Sequence, residues 1–272
     1  MITVVVLTYN DPRRLRLCLH SLLRQTFADF ELLIVHDGGD RQINRPVYAE
    51  MRRHGRDISE LWLGPESTDF RAAAARNLGL RHAHGERLLF VDGDCILGAN
   101  VVEAHGSYGG GPVLVTGNRL HLPQSCLEWL EPEHFDQLAS HVTKLGGARA
   151  WRSRDQVRRG ATVVSLTGHQ VCSFQLSVPT ELARSIGGFN ESFIGWGGED
   201  NEFASRMHRA GAELIGHFDV LSYHIDHPSR RPREWMKRVH RSLRQLDPVR
   251  NGGPLPETAA DWPAGQIKRD TP

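Results

Sequence analysis

The stretch TVVVLTYNDPRRLRLCLHSLLRQTFADFELLIVHDGGD (3–40) carries the pattern that decides the fold. Its β-branched run, TVVVLTY (3–9), predicts a short buried strand. Asp11 and Pro12 predict the start of a helix, as N-cap and first-turn proline, and the apolar residues after them recur at helical spacing. FELLIVH (30–36) predicts a second strand. The stretch is therefore a strand–helix–strand unit.

The same alternation continues to residue 92. The pattern predicts a helix over 46–54, a strand over 58–63, an Ala-rich helix over 68–85 that Gly85 ends, and a strand over 87–92. Strands that alternate with helices are typical of a parallel sheet with crossover helices. We therefore predict an α/β fold with a mostly parallel central sheet flanked by helices.

The second half of the sequence is less regular. We predict strands over 112–118, 170–178 and 212–219, and helices over 180–188, 198–211 and 232–246, whereas 119–160 has no clear pattern. The residues after 247 are rich in Pro and Gly, which is typical of a loose tail. No internal repeat or linker divides the chain, so we expect a single domain with a C-terminal helix and tail.

Composition excludes several classes of protein. The 272 residues are 39% hydrophobic and 24% charged, which is typical of a soluble globular protein, and the net charge of +1 creates no global field toward nucleic acid or membrane. MITVVVLTYN lacks the basic start and long apolar run of a signal peptide, and no stretch approaches 18 apolar residues. The four cysteines form no C-x-x-C pair, so we expect reduced thiols, no zinc site and a cytoplasmic location.

Polar residues cluster where three predicted strands end. Ligands of parallel sheets bind beyond the carboxyl ends of the strands, so the convergence is more informative than any one cluster. The clusters are Thr8-Tyr9-Asn10, His36-Asp37-Gly38 and Asp92-Gly93-Asp94.

Asp92-Gly93-Asp94 places two carboxylates two residues apart. Mg²⁺ or Mn²⁺ would relieve their repulsion, because these cations prefer carboxylate oxygens and share them with phosphates. Gly93 would let ligand atoms approach the backbone. Taken alone, the triplet is more often a surface turn.

Three other residues have a structural and a functional interpretation. Asp37 is either a turn residue or an acceptor for a nucleobase or sugar. Arg76 is either a solvated helix residue, the commoner case, or a phosphate or base contact. His224 is either structural or a supplementary metal ligand, with His227 as the substitute.

GWGGED (195–200) surrounds Trp196 with glycines and follows it with two acids. The open indole would suit the apolar face of a sugar, although core packing is the commoner role of a tryptophan. Glu199 and Asp200 fall at a predicted helix start, where the helix dipole favours carboxylates. Beside a sugar, such a carboxylate can take the proton of an attacking hydroxyl.

Taken together, these motifs resemble the family-2 glycosyltransferases of the GT-A fold, whose central sheet is Rossmann-like. The segment GGFNESFIGWGGEDNEF (187–203) also resembles a motif of β-1,4-galactosyltransferases and chondroitin-polymerase-type enzymes. The resemblance covers about residues 1–225, with a gap over 119–165. In order along the chain, the first four motifs are VVVLTYN (4–10), VHDGG (35–39), AAAARNLGL (72–80) and LFVDGDC (89–95).

The resemblance implies a metal-dependent transfer of a sugar from a nucleotide sugar, a UDP-sugar above all. Asp94 and His224 would hold Mn²⁺ or Mg²⁺, Asp200 would be the catalytic base of an inverting displacement, and Glu199 would hold hydroxyl groups. Donor binding would fall to Thr8, Tyr9, Asn10, Asp37, Arg76, Asp92, Gly93, Trp196, Gly197 and Gly198.

The resemblance also implies a division of labour along the chain. Residues 1–118 would bind the nucleotide sugar, 119–228 would bind the acceptor and carry out catalysis, and 229–272 would form a basic helix and tail. The acceptor stays open among a saccharide, a natural product, a peptide and a lipid-linked glycan. The seven arginines and one lysine of 230–250 fit a solvated face, a diphosphate contact or peripheral contact with anionic lipid. Nucleic acid is not expected as a partner, because no basic motif with interleaved aromatics accompanies this charge.

Three alternatives stay open at this point. A retaining transferase of the same fold carries a related motif. A nucleotidyltransferase would show a glycine-rich loop after the first strand, which TYNDPRR (8–14) lacks. A non-catalytic nucleotide-sugar-binding protein would keep the pocket alone. One departure from the family concerns His36, which stands where the family often has a second acid.

Overall fold

The computed structural model describes residues 1–64, 70–147, 163–195 and 197–227. Its strands are β1 (Ile2–Thr8), β2 (Phe30–His36), β3 (Ser59–Trp62), β4 (Arg87–Asp92), β5 (Cys95–Leu97), β6 (Val113–Leu122), β7 (Lys144–Gly147), β8 (Val163–Ser165), β9 (Gln175–Pro179) and β10 (Glu213–Ile225). Its helices are α1 (Pro12–Leu23), α2 (Arg45–Arg53), α3 (Ala72–His82), α4 (Val101–Gly106), α5 (Cys126–Trp129), α6 (Thr180–Ser185) and α7 (Glu199–Arg209), with 3-10 turns at Arg41–Asn44, Pro132–His141 and Gly168–Gln170. Trp196, the predicted helix 232–246 and the tail lie outside the described residues.

These strands form one sheet in the order β3-β2-β1-β4-β9-β6-β10-β5, with β7 on β6 and β8 on β10. The first four strands are parallel, as the strand–helix alternation predicts. Beyond them β9 runs antiparallel to both β4 and β6, and β10 returns parallel to β6. The predicted α/β fold is confirmed.

Strand β1 is buried on both sides because helices cover both faces of the sheet. Val4 and Val6 pack with α1, α2 and α4 on one face. Val5 and Leu7 pack with α3 and α7 on the other. The all-apolar run of β1 is therefore that of a central strand between two helical layers.

Several predicted element bounds need correction. Helix α3 ends at His82, not at Gly85, because Gly85 packs against β1: a Cβ there would lie 2.6 Å from the Thr3 amide nitrogen. Strand β9 begins at Gln175 rather than at 170, since a 3-10 turn occupies Gly168–Gln170. Strand β10 continues to Ile225, well past 219, because β6 extends to Leu122 and pairs with it.

The segment without a sequence pattern docks on α1 through ion pairs and through an apolar cluster in which Leu17 packs with Cys126, Leu130 and Leu138. Arg13 and Arg16 each donate to the Glu131 carboxylate, at 2.7 and 2.6 Å. Arg24 donates to Asp136 at 2.7 Å. The segment could not be predicted because its elements are a four-residue helix and a 3-10 turn, in which no sustained 3.6-residue period can appear. Over the described residues, the helices are too short or too polar to cross a bilayer.

Candidate active site

The three polar clusters meet because β1 lies between β2 and β4. The amide of Asp37 donates to the Thr8 carbonyl at 3.0 Å, and the amide of Gly93 donates to the Leu7 carbonyl at 2.8 Å. Asn10 has a left-handed backbone (φ 46°), and its side-chain oxygen accepts from the Asp40 amide at 2.8 Å. The predicted convergence at the carboxyl ends of the strands is confirmed.

Gly93 is required by packing against β1. A Cβ on this residue would lie 2.6 Å from the Leu7 carbonyl oxygen, which is backbone and cannot move aside. Because the residue has no side chain, Asp92 and Asp94 stay close to the end of β1. The glycine therefore sets the position of both carboxylates.

Asp94 faces two histidines from β10 and the residues after it. Its Oδ2 lies 3.3 Å from Nε2 of His224 and 3.4 Å from Nε2 of His227. Burial opposes the charge on Asp94, but the hydrogen bonds with the two imidazoles outweigh it and lower the pKa of the carboxyl. One carboxylate oxygen and two imidazole nitrogens within 4.8 Å of one another form a donor set that can hold one divalent cation. The sequence had placed His224 beyond the predicted strand 212–219, but it lies inside β10.

The remaining nitrogen of His224 faces a second carboxylate. Nδ1 of His224 lies 3.3 Å from Oδ1 of Asp226, which is also 2.7 Å from Nδ1 of His121 on β6. Arg14 of α1 donates to the Ile225 and Asp226 carbonyls at 3.4 and 3.2 Å. The end of β10 is thus held from two sides, and the orientation of His224 follows from it.

Arg76 joins the two halves of the site. Its guanidinium donates to Glu199 at 3.0 Å and lies 3.6 Å from Asp92, and its side chain is 3% exposed. Its positive charge therefore interacts with two carboxylates, one on β4 and one on α7. The second oxygen of Glu199, Oε2, is buried and has no hydrogen-bond partner.

Asp200 lies beside Glu199 at the start of α7. Its Oδ2 accepts from the Ser173 amide at 3.3 Å and from the Ser173 hydroxyl at 3.4 Å. Burial, followed by the charge of Glu199, raises the pKa of Asp200 to about 7. A carboxyl group with a pKa near neutrality is suited to take up a proton during a reaction.

The glycines of GWGGED shape the approach to these acids. Gly195, Gly197 and Gly198 all have φ between 92° and 96°, a conformation that disfavours side chains, and Gly198 is the N-cap of α7. The amide of Gly195 donates to the Phe70 carbonyl at 2.8 Å, which connects this loop to the start of α3. The predicted helix start at Glu199 is confirmed.

Asp37 and His36 both contact other side chains of the protein within hydrogen-bonding distance. Asp37 is 4% exposed and accepts from the amide and Nε of Arg71, at 2.7 and 3.1 Å. His36 lies 2.7 Å from the hydroxyl of Tyr48, and burial lowers its pKa to about 4, so the imidazole is neutral. A contact of Asp37 with the base or ribose stays a prediction. The same holds for Thr8, which is buried, Tyr9, which is half-buried, and Asn10, which is exposed.

Sequence reasoning missed Asp226, which contacts His224, and Arg71, which contacts Asp37. The run HIDH (224–227) contains the signal for the first, since residues two apart in a strand share a face. No local pattern distinguishes Arg71 from the other arginines.

Two family models match the chain. Residues 3–105 match glycosyl transferase family 2, and residues 165–228 match the N-terminal domain of galactosyltransferase. The first match contains Asp94, and the second contains Asp200, His224 and His227. Over residues 3–105 the chain is thus similar to family-2 glycosyltransferases.

Curated proteins that are similar to this chain carry glycosyltransferase names or the name of a polysaccharide synthase. Validoxylamine A glucosyltransferase of Streptomyces hygroscopicus subsp. jinggangensis is 28% identical over 255 residues, covering 86% of this chain and 57% of the relative. Hyaluronan synthase of Pasteurella multocida is 24% identical over 254 residues, covering 84% of this chain and 25% of the relative. The chain thus spans slightly more than half of the length of the first relative and a quarter of the length of the second.

Solved structures share the GT-A-like fold. GalNAc-T7 with UDP, GalNAc and Mn²⁺ superposes with a TM-score of 0.68 at 13% identity, covering 92% of this chain and 49% of that one. The mannosyltransferase PcManGT of Pyrobaculum calidifontis, in complex with GDP-Man and Mn²⁺, superposes with a TM-score of 0.59 at 18% identity, covering 94% of this chain and 65% of that one.

Proposed function

We propose that the chain is a metal-dependent glycosyltransferase that moves a sugar from a nucleotide sugar, a UDP-sugar, to an acceptor hydroxyl with inversion. The observation that carries the proposal is the Arg76 bridge. One guanidinium contacts Asp92 of the DGD turn and Glu199 of GWGGED, which supports a single site that includes both motifs, with Asp94 two residues from Asp92 and Asp200 next to Glu199.

The donor would bind beyond the carboxyl ends of β1, β2 and β4. Thr8, Asn10 and Asp37 would face its nucleoside, and Asp92 would face its ribose. Asp94, His224 and His227 would hold Mn²⁺ or Mg²⁺. When bound, the cation would offset the negative charge that a nucleoside diphosphate gains as it leaves.

Asp200 would take the proton of the acceptor hydroxyl. The hydroxyl oxygen then bonds to the anomeric carbon while the bond from that carbon to the diphosphate oxygen breaks. The products are the new glycoside, the nucleoside diphosphate and a protonated Asp200. A pKa of about 7 supports this role, because the group can be ionised before the step and hold the proton after it.

Glu199 would accept hydrogen bonds from substrate hydroxyls. Its Oε1 is held by Arg76, and Oε2 has a free acceptor position. Gly197 and Gly198 would leave room for a sugar ring next to this oxygen. The role proposed for Trp196, a platform for the ring, concerns a residue outside the described part of the chain.

Calorimetry of UDP binding with and without Mn²⁺ tests the proposal. We expect the unaltered chain to bind UDP more tightly with Mn²⁺, and Asp94→Asn to lose that gain. Asp136→Asn is the matched control, because Asp136 is a surface carboxylate with 82% of its side chain exposed. UDP binding that does not depend on the metal, or is absent, contradicts the proposal. If UDP binding depends on Mn²⁺ as expected, a donor screen that measures UDP release would identify the sugar.

A further inference from the structure

Arg119 lies on β6, two residues before His121. It is the cross-strand neighbour of Ser222, and His121, two residues further along β6, is the neighbour of His224. Residues two apart on a strand share a face, and they are about 7 Å apart. Arg119 is therefore on the same face as the candidate metal ligands, farther into the sheet.

An aromatic ring holds Arg119 in place. The guanidinium carbon lies 4.9 Å from the centre of the Phe174 ring. The carbonyl of Phe174 accepts from the Asp92 amide at 3.0 Å, so the same residue touches the DGD turn. Stacking leaves the edge of the guanidinium available for hydrogen bonds.

The charge of Arg119 acts on both halves of the site. Burial and the charge of Asp94 raise the pKa of Asp92, and Arg76 and Arg119 act against that rise. Burial raises the pKa of the Cys172 thiol to about 12, with Asp200 adding to the rise and Arg119 opposing it. Arg119 thus lies within electrostatic range of the DGD turn and of the residues next to the candidate base.

The two arginines of the site differ in what their guanidinium groups contact. Arg76 is 2% exposed and engaged by Asp92 and Glu199. Arg119 is half-buried, and its buried Nε has no hydrogen-bond partner. Within the described ranges, the guanidinium of Arg119 forms no ion pair. The Nε of Arg76 also has no hydrogen-bond partner, but the other two nitrogens of its guanidinium face Asp92 and Glu199, so Arg76, to which the sequence assigned the phosphate contact, already pairs with two acids.

We propose that Arg119 binds an anionic oxygen group of a substrate, either the diphosphate of the donor or a carboxylate on one of the sugars. This inference rests on the proposed function. A guanidinium on the same face of the sheet as His224, stacked on an aromatic ring and without an ion pair among the described residues, matches the planar pair of oxygens that phosphate and carboxylate groups present.

Two substitutions separate charge from packing. Arg119→Met keeps an unbranched side chain against Phe174 and removes the charge, whereas Arg119→Lys keeps the charge. Thermal unfolding of both variants shows whether the fold is retained. Uridine binding, measured by NMR titration, is the internal control, because uridine carries no anionic group.

We expect one of two results if the inference is right. If the ligand is the diphosphate, Arg119→Met weakens UDP binding in the presence of Mn²⁺ by about 10- to 100-fold, Arg119→Lys recovers part of it, and uridine binding is unchanged. If the ligand is a sugar carboxylate, UDP binding is unchanged. Instead, the preference of the unaltered chain for UDP-glucuronate over UDP-glucose, or for an acceptor with a uronate, is lost in Arg119→Met.

The inference is overturned if Arg119→Met binds UDP as tightly as the unaltered chain and keeps its preferences between UDP-glucuronate and UDP-glucose and between acceptors with and without a uronate. Arg119 then only offsets the charges of the site acids. In that case the unaltered chain still binds UDP with Mn²⁺, and the proposed function stands. If the unaltered chain binds no UDP, the proposed function fails and this inference fails with it.

Discussion

Replacing Asp200 with Asn tests the state of the candidate base without any substrate. Burial raises the pKa of this carboxyl from 3.8 to about 7. In the unfolded chain Asp200 loses its proton near pH 4, whereas in the folded protein it keeps the proton up to about pH 7. Because the folded state binds more protons in this window, stability falls as pH rises, by about 1.4 kcal/mol per pH unit. Over about three units this sums to at most ~4 kcal/mol.

Asparagine has nearly the same shape, and its carbonyl can accept from Ser173, but it cannot ionise. The free energy of unfolding of Asp200→Asn should therefore exceed that of the unaltered chain by an amount that grows from pH 4 to pH 7 and then levels off. Because Asp200 is only half-buried, we expect a gain of about 1–3 kcal/mol at pH 8 relative to pH 4. For a chain of this size, 1 kcal/mol corresponds to roughly 2–4 °C in melting temperature.

Urea unfolding of both proteins at pH 4, 5, 6, 7 and 8 measures this difference. Glu181→Gln, which removes a surface carboxylate with 82% of its side chain exposed, is the matched control and should show no such trend. A stability difference that is the same at every pH would refute the raised pKa. Transfer activity gives a separate readout: loss of a general base should reduce kcat by about 10²- to 10⁴-fold, with donor binding retained. For the same reason, kcat of the unaltered chain should rise with pH up to about 7.

Three further predictions concern other parts of the structure. Gly93→Ala should lower stability by about 1–3 kcal/mol and weaken metal-dependent UDP binding, because its Cβ would lie 2.6 Å from the Leu7 carbonyl; normal values in urea unfolding and calorimetry would contradict this. The hydrogen bond with Arg16 lowers the pKa of Glu50 to about 2, so the ionised carboxylate stabilises the fold above pH 5, and this contribution is lost as pH falls toward 2. Glu50→Gln should therefore destabilise the protein by about 1–3 kcal/mol at pH 7, measured by urea unfolding, and by less below pH 4. A difference in stability that stays constant with pH would argue against this role of Glu50. His227→Ala should weaken Mn²⁺ binding about 10- to 100-fold in electron paramagnetic resonance titrations, with unchanged thermal stability of the metal-free protein, and full affinity would remove this residue from the ligand set.

Local patterns were sufficient for the first half of the fold. The β-branched and aliphatic runs of β1, β2 and β4 are buried on both faces, and the intervening helices carry an apolar face at the helical period, so each element is determined by its own residues. The second half mixes antiparallel and parallel neighbours. Strand β10 exceeds its predicted length because its partner β6, 100 residues earlier in the chain, is long enough to pair with it.

The sequence by itself determined the alternating strands and helices and the polar residues that follow β1, β2 and β4, because both depend on residues that are adjacent in the chain. Only the tertiary structure decided which of those polar groups meet. It brings His224 and His227 to Asp94, brings Arg76 to Asp92 and Glu199, and places Arg119 on the same face of the sheet as His224. The contacts of Asp94 with the two histidines and of Arg76 with Glu199 join residues more than 100 positions apart. The type of a side chain does not reveal which distant residue will pair with it.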